Sequence, residues 1–207
     1  MNNIIVGIDC GLTGGISILI NNRLPLVYRI PVKKIIVNKK NKNTYDMEKL
    51  VNIFKKYKDK KVSFFIEAQS VRQNEGSVSA MTIGKGYGQL LGVAYALDFD
   101  VIEVTPQTWK KHFPELITDE MIEIKGQMKE LRLINKTLKD KSDKKENDKH
   151  IGKLGRQFKK NAKEQARALV SKKYPKMADK FKPVGSDGMA ESLLIALYGR
   201  NCQGELV

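Results

Sequence analysis

Apolar residues fall in short unbroken runs near the start of the chain and at helical spacing further on. Ile4-Ile5-Val6-Gly7-Ile8 ends at Asp9 and reads as a buried strand, Gly11 to Gly15 as a tight turn, and Ile16 to Ile20 as a second strand closed by Asn21-Asn22. Leu24 to Val32 predicts a third strand. Met47, Leu50, Val51, Phe54 and Tyr57 recur with helical period, so a helix is expected over Asp46 to Tyr57, followed by a short inner strand from Val62 to Ile66. Ser77 to Leu97 predicts a longer helix. Gly84, Gly86, Gly88 and Gly92 each weaken it by about 1 kcal/mol, which implies that something approaches that backbone closely. Val101 to Val104 predicts a fifth strand. Thr105-Pro106 then opens a short helix, with proline where a missing N–H does no harm.

From about Glu115 to Asn161 the composition changes. Met121 to Leu138 keeps a periodic set of Ile, Met and Leu and is expected to be helical, whereas Asn135 to His150 is nearly all polar and charged. The stretch reads as a basic, partly mobile insertion at about 115–161, with an exposed solvated helix as the plainer reading, and both can hold. Ala162 to Tyr174 is an amphipathic helix stopped by Pro175, and Pro183-Val184-Gly185-Ser186 leads into a final helix from Asp187 to about Tyr198. Residues 1–207 thus read as a single α/β domain with the insertion placed before its last two helices.

The formal charge of +15, from 38 Lys+Arg against 23 Asp+Glu, favours a polyanionic partner, because each cation set on a phosphate releases a condensed counterion. Nucleic acid is the expected partner class, although a composition rich in Lys, Asn and Ile also raises the charge. The two cysteines, Cys10 and Cys202, form neither a Cys-x-x-Cys pair nor a Cys/His cluster, which argues against a disulfide framework and a zinc site. With no apolar run long enough to span a bilayer and no basic leader, a soluble cytoplasmic protein of a bacterial or phage-infected cell is expected.

Four acids stand where an apolar element ends or a helix begins: Asp9 after the first strand, Glu67 after the Val62 to Ile66 run, and Asp187 with Glu191 at the start of the last helix. Burying carboxylates among strands costs several kcal/mol per charge unless cations compensate. Residues four apart on a helix share a face, so Asp187 and Glu191 point together, and their repulsion calls for a cation. Each acid also has a plainer reading. Asp9 suits an Asx-type turn, Glu67 an edge strand facing water, and the helix acids a favourable macrodipole.

Three strands, a helix, a strand, a helix, a strand and terminal helices match a ribonuclease H-like order, a mixed five-stranded sheet flanked by helices. The opening Gly7-Ile8-Asp9-Cys10-Gly11-Leu12-Thr13-Gly14-Gly15 resembles the first motif of that superfamily. Together with Phe64-Phe65-Ile66-Glu67-Ala68-Gln69, the glycine-rich Ile83 to Leu90, Val104 to Lys111, Lys163-Glu164-Gln165-Ala166-Arg167 and Gly185 to Gly199, it resembles the RuvC family of Holliday junction resolvases, particularly phage-type members. The resemblance implies a metal-dependent endonuclease that resolves four-way DNA junctions by paired nicks. Asp9, Glu67, Asp187 and Glu191 would be its catalytic, metal-binding carboxylates, holding two Mg²⁺ per site, with Mn²⁺ as a substitute. The last two acids are four apart where many members have three, and the final one is Glu rather than Asp, so which of them touches metal directly is left open.

A two-fold symmetric junction calls for two active sites and hence a homodimer, with the Ser77 to Leu97 helix as its interface. Phosphate contacts are expected from Lys85, Gln89, Lys110, Lys111 and Lys163, and from Arg72 in the loop after Glu67. Trp109 suits a base-stacking role or a core anchor. Three rivals stand beside this reading: a nuclease for forks and flaps, a non-catalytic DNA-binding module, and a phosphotransferase related to actin-like ATPases, whose phosphate loop the Gly-x-Asp-x-Gly-x-Thr motif also resembles. Length disfavours the last, because those proteins need two lobes.

Overall fold

The computed structural model describes residues 4–70 and 76–204. In chain order its elements are β1 (Ile4–Asp9), β2 (Gly15–Ile20), β3 (Leu26–Arg29), β4 (Val32–Val37), β5 (Lys40–Tyr45), α1 (Met47–Phe54), β6 (Val62–Glu67), α2 (Ser77–Ala96), β7 (Asp100–Val104), α3 (Pro106–Lys111), α4 (Asp119–Thr137), α5 (Lys141–Lys173), α6 (Ala178–Phe181) and α7 (Asp187–Gly204). Short 3-10 turns link several of them. The main sheet has the order β3-β2-β1-β6-β7. β1 pairs antiparallel with β2 and parallel with β6, β2 antiparallel with β3, and β6 parallel with β7. This is the mixed five-stranded sheet flanked by helices that the motif order predicts.

Strand periodicity divides the core in two. Ile4, Val6 and Ile8 of β1 point to one face with Phe64 and Ile66 of β6, where Leu50 and Phe54 of α1 and Leu90 and Ala94 of α2 cover them. Ile5 and Phe65 point to the other, under Leu193 and Leu197 of α7 and Leu169 of α5. α7 is buried nearly all round over its middle and lies directly on β1 and β2. Gly7 makes that contact possible, since a Cβ there would collide with the Ser192 carbonyl and the Ala196 amide. Polar ties also cross this apolar layer: the Ser17 and Ser192 hydroxyls, both fully buried, meet at 2.8 Å, and Gln203 Nε2 of α7 donates to the Ser63 hydroxyl of β6.

The structure refines or departs from the sequence reading in four places. The third strand is only Leu26–Arg29, and the chain then turns at Ile30-Pro31 into a separate β4–β5 hairpin that was not anticipated. Asn38 and Lys39 take positive φ at its tip, as a tight two-residue hairpin turn requires. The charged stretch within 115–161 takes the exposed-helix alternative: α5 starts at Lys141, capped by the Asp140 side chain on the Ser142 amide, and runs unbroken to Lys173. α7 continues beyond Tyr198 to Gly204. Finally, the glycines of α2 do not mark a tight contact within the chain. A Cβ at Gly84, Gly88 or Gly92 would meet open space, and only Gly86 lies against a neighbour, the Tyr45 ring. Among the described residues no helix is long and apolar enough to cross a membrane.

Candidate active site

Asp9 and Glu67 end neighbouring parallel strands, and the pairing of Ile8 with Ile66 sets both carboxylates at the same end of the sheet. Asp187 and Glu191 arrive from the first turns of α7. Gly185 turns the chain at φ +88°, the buried Ser186 hydroxyl shares its one proton between the Phe181 and Pro183 carbonyls, 2.7 Å from each, and a bridge between Gly14 and Gly188 seats the helix start beside the β1–β2 turn. Residues 178 positions apart in sequence are thereby brought to one place. On the other side of Asp9, the Gly11 amide donates to the Tyr45 hydroxyl at 3.1 Å, which pins the glycine turn to β5.

The electrostatics record the convergence. Burial pushes the Asp9 carboxyl well above its ordinary range, and the negative charges of Glu191, Glu67 and Asp187 push it further, against the pull of Lys110. Glu67 is raised too, mainly by burial, while a hydrogen bond from Trp109 Nε1 to its Oε2 at 2.8 Å and the Lys110 charge work the other way. Asp187 goes down: burial works to raise it, but the Lys163 ammonium at 2.7 Å and Arg167 at 3.9 Å prevail. Glu191 is paired with Lys110 at 3.1 Å. Among the described residues no group of three or more His, Cys, Asp or Glu side chains has the arrangement of a metal-ligand set.

The other residues singled out in the sequence divide by position. Lys85 and Gln89 line a cleft of about 300 Å³ with Cys10, Gly11, Tyr45 and Gly86, immediately beside the turn after Asp9. Lys110 and Lys111 border a second cleft with Glu191, Phe158 and Ala162. Lys163 and Lys110 stand at the acids themselves, and Arg72 lies outside the described residues. Trp109 is a core residue, fully buried, but its indole edge reaches Glu67. Tyr45 and Arg167 were not singled out as site residues. Tyr45 ends a hairpin whose two strands carry no clear alternation, and Arg167 is one cation among many on α5.

No family model matches this chain, and no curated protein matches it in sequence. Among solved structures it is similar to a Thermus thermophilus RuvC in complex with a Holliday junction substrate, at 11% identity and a TM-score of 0.45, over 98% of this chain and 95% of that one. A second Thermus thermophilus RuvC structure gives 11% identity and a TM-score of 0.44, over 97% and 96%.

Proposed function

We propose that this protein is a divalent-cation-dependent endonuclease that resolves four-way DNA junctions by paired nicks. The observation that carries the proposal is Asp9, a half-buried carboxylate that ends β1 beside Glu67 at the end of β6, with three further carboxylates acting on it. Such a group is a liability to the fold unless positive charge is supplied, and clustered hard oxygen donors suit Mg²⁺. The donor chemistry therefore fits the cation, while the arrangement is closed by Lys110 and Lys163.

When bound, Mg²⁺ lowers the pKa of an attacking water and stabilises the leaving 3′ oxygen. Asp9, Glu67, Asp187 and Glu191 would supply the carboxylate oxygens that hold two such ions. Trp109 holds the Glu67 carboxylate in place from behind. Lys85 and Gln89, in the cleft next to the glycine turn, and Lys111 take the phosphates of the scissile strand. The proposal includes a homodimer formed through α2. Val78, Met81 and Tyr95 are exposed on one side of that helix, together with the open backbone of Gly84, Gly88 and Gly92, a surface that lets a second helix come close.

Incubating purified protein with labelled four-way, three-way and linear duplex DNA, with and without Mg²⁺, tests the reading. Paired nicks in the four-way substrate, only with the cation, are expected. Cation-dependent cleavage of forks and flaps alone would move the substrate to those structures, and absence of cleavage on all of them would overturn the enzyme assignment.

A further inference from the structure

α5 carries a second charged feature, outside the acid cluster. Lys145, Lys149, Lys153, Arg156, Lys160 and Lys163 follow one another at steps of four, four, three, four and three, and Arg167 extends the series by four more. At 100° per residue these positions lie within about 80° of one another around the helix axis. Every position in that sector from 145 to 167 is Lys or Arg. The stripe residues Lys145, Lys149, Lys153, Arg156, Lys160 and Lys163 are all exposed; over this length Leu154 packs on the far side of the helix, and the buried Ala166, Leu169 and Val170 come later, toward its C-terminal end.

The stripe spans about 33 Å at 1.5 Å per residue, close to one turn of duplex DNA. It also has a direction. Its C-terminal end is the Lys163 and Arg167 pair on Asp187, so it leads outward from the candidate active site. α4 packs antiparallel along the opposite side of α5 and stiffens it, through Gln157 to Glu120 at 3.0 Å near the base and Asn135 to Asp148 and Asn147 to Asn135, each at 2.9 Å, near the tip. Like charges lined up along a helix repel unless a polyanion lies over them.

We propose that the α4–α5 hairpin is a rail for duplex DNA: its basic stripe binds the phosphates of one arm over about a helical turn and delivers the strand to the acids at its base. The inference rests on the DNA-acting reading of the site and adds to it a footprint on the arm.

The test uses the full chain, with Lys145, Lys149, Lys153 and Arg156 all changed to Gln. These residues are far along the hairpin from the acids, and circular dichroism checks that the helix persists. Binding to a four-way junction is measured in chelator over a range of KCl. The slope of log K against log salt is expected to fall by about 3 to 4, with about a tenfold or greater loss of affinity near physiological salt. The wild-type chain is also expected to bind junctions with arms of about 20 base pairs at least tenfold more tightly than those with arms of about 8, which are shorter than one turn. The variant should lose that preference.

An unchanged slope and no arm-length preference would overturn the rail, as would a wild-type chain that binds no duplex. Loss of binding to phosphatidylserine vesicles with duplex binding intact would overturn it in favour of a membrane surface. Cleavage in Mg²⁺ is scored separately. A chain that cuts with an unchanged slope sinks the rail alone, and one that never cuts while the slope falls sinks the nuclease reading alone.

Discussion

Trp109 Nε1 donates a 2.8 Å hydrogen bond to Glu67 Oε2, which ties the base of α3 to the end of β6. The indole is fully buried, so the bond exists in a water-poor setting, and it consumes one acceptor position of a carboxylate that burial pushes upward. Trp109→Phe keeps an aromatic ring but removes the donor. Its expected effect is about a tenfold loss of divalent-cation affinity, the usual range for groups that hold a ligand in place. The check is a double-mutant cycle on cation affinity: in a Glu67→Gln background Trp109→Phe should have no further effect, whereas equal effects in both backgrounds would mean that only packing was lost.

Asp9→Asn separates function from stability. It removes charge with little change in volume, so Mg²⁺-dependent cleavage should fall to background while junction binding is retained. The stability effect runs the other way. Because the folded-state pKa of Asp9 lies above its unfolded value, the metal-free native state binds more protons than the unfolded state in the window between the two. That contribution is favourable below the unfolded pKa and is lost as pH rises through the folded one. At neutral pH the wild-type, metal-free chain therefore carries a penalty that Asp9→Asn relieves, and its melting temperature in chelator should rise by about 2 °C or more. A lower melting temperature would contradict the strain assigned to Asp9.

The buried hydroxyl pair gives an asymmetric pair of expectations. Ser192 Oγ has a second partner, the Met189 carbonyl at 2.9 Å, so Ser17→Ala leaves it satisfied. Ser192→Ala instead removes the side-chain partner of a fully buried Ser17. Denaturant melts should show Ser192→Ala destabilised by about 1 to 3 kcal/mol and Ser17→Ala by less. The reverse order would show that the interior layer between β2 and α7 relaxes around the change.

Legibility in the sequence followed how each element is stabilised. β1, β2 and β6 are buried on both faces, so they appear as unbroken apolar runs, and Asp9 and Glu67 are conspicuous because each ends one. Helical spacing places Asp187 and Glu191 on one face of the last helix, and their proposed role comes from the motif resemblance. The β4–β5 hairpin escaped because it is exposed over almost its whole length and has no core to impose alternation. The first turns of α5 stay open between a mobile segment and a solvated helix for a related reason. A helix from Lys141 to His150 has no buried residue, and it is held by its cap, the contact with α4 and continuity with the packed turns that follow. Partners across the fold, such as Trp109 on Glu67 and Lys163 on Asp187, depend on the packing of α3 and α5 and have no linear signature.

Lys163 makes the last expectation specific to this chain. Its ammonium, 2.7 Å from Asp187, takes the place by charge that the proposed function gives to a divalent cation, and Arg167 at 3.9 Å is the weaker neighbour. Cation and lysine therefore compete for one carboxylate. Lys163→Gln should tighten Mg²⁺ or Ca²⁺ binding to the DNA-free protein by about threefold, a modest gain because the lysine is half exposed and its ion pair is screened. The same change should weaken junction binding, since a phosphate contact is lost. Trp109 is the only tryptophan in the chain and touches Glu67, so its fluorescence reports the cation titration directly. Equal cation affinity in the two proteins would show that Asp187 stays with Lys163 while the ions bind elsewhere in the cluster.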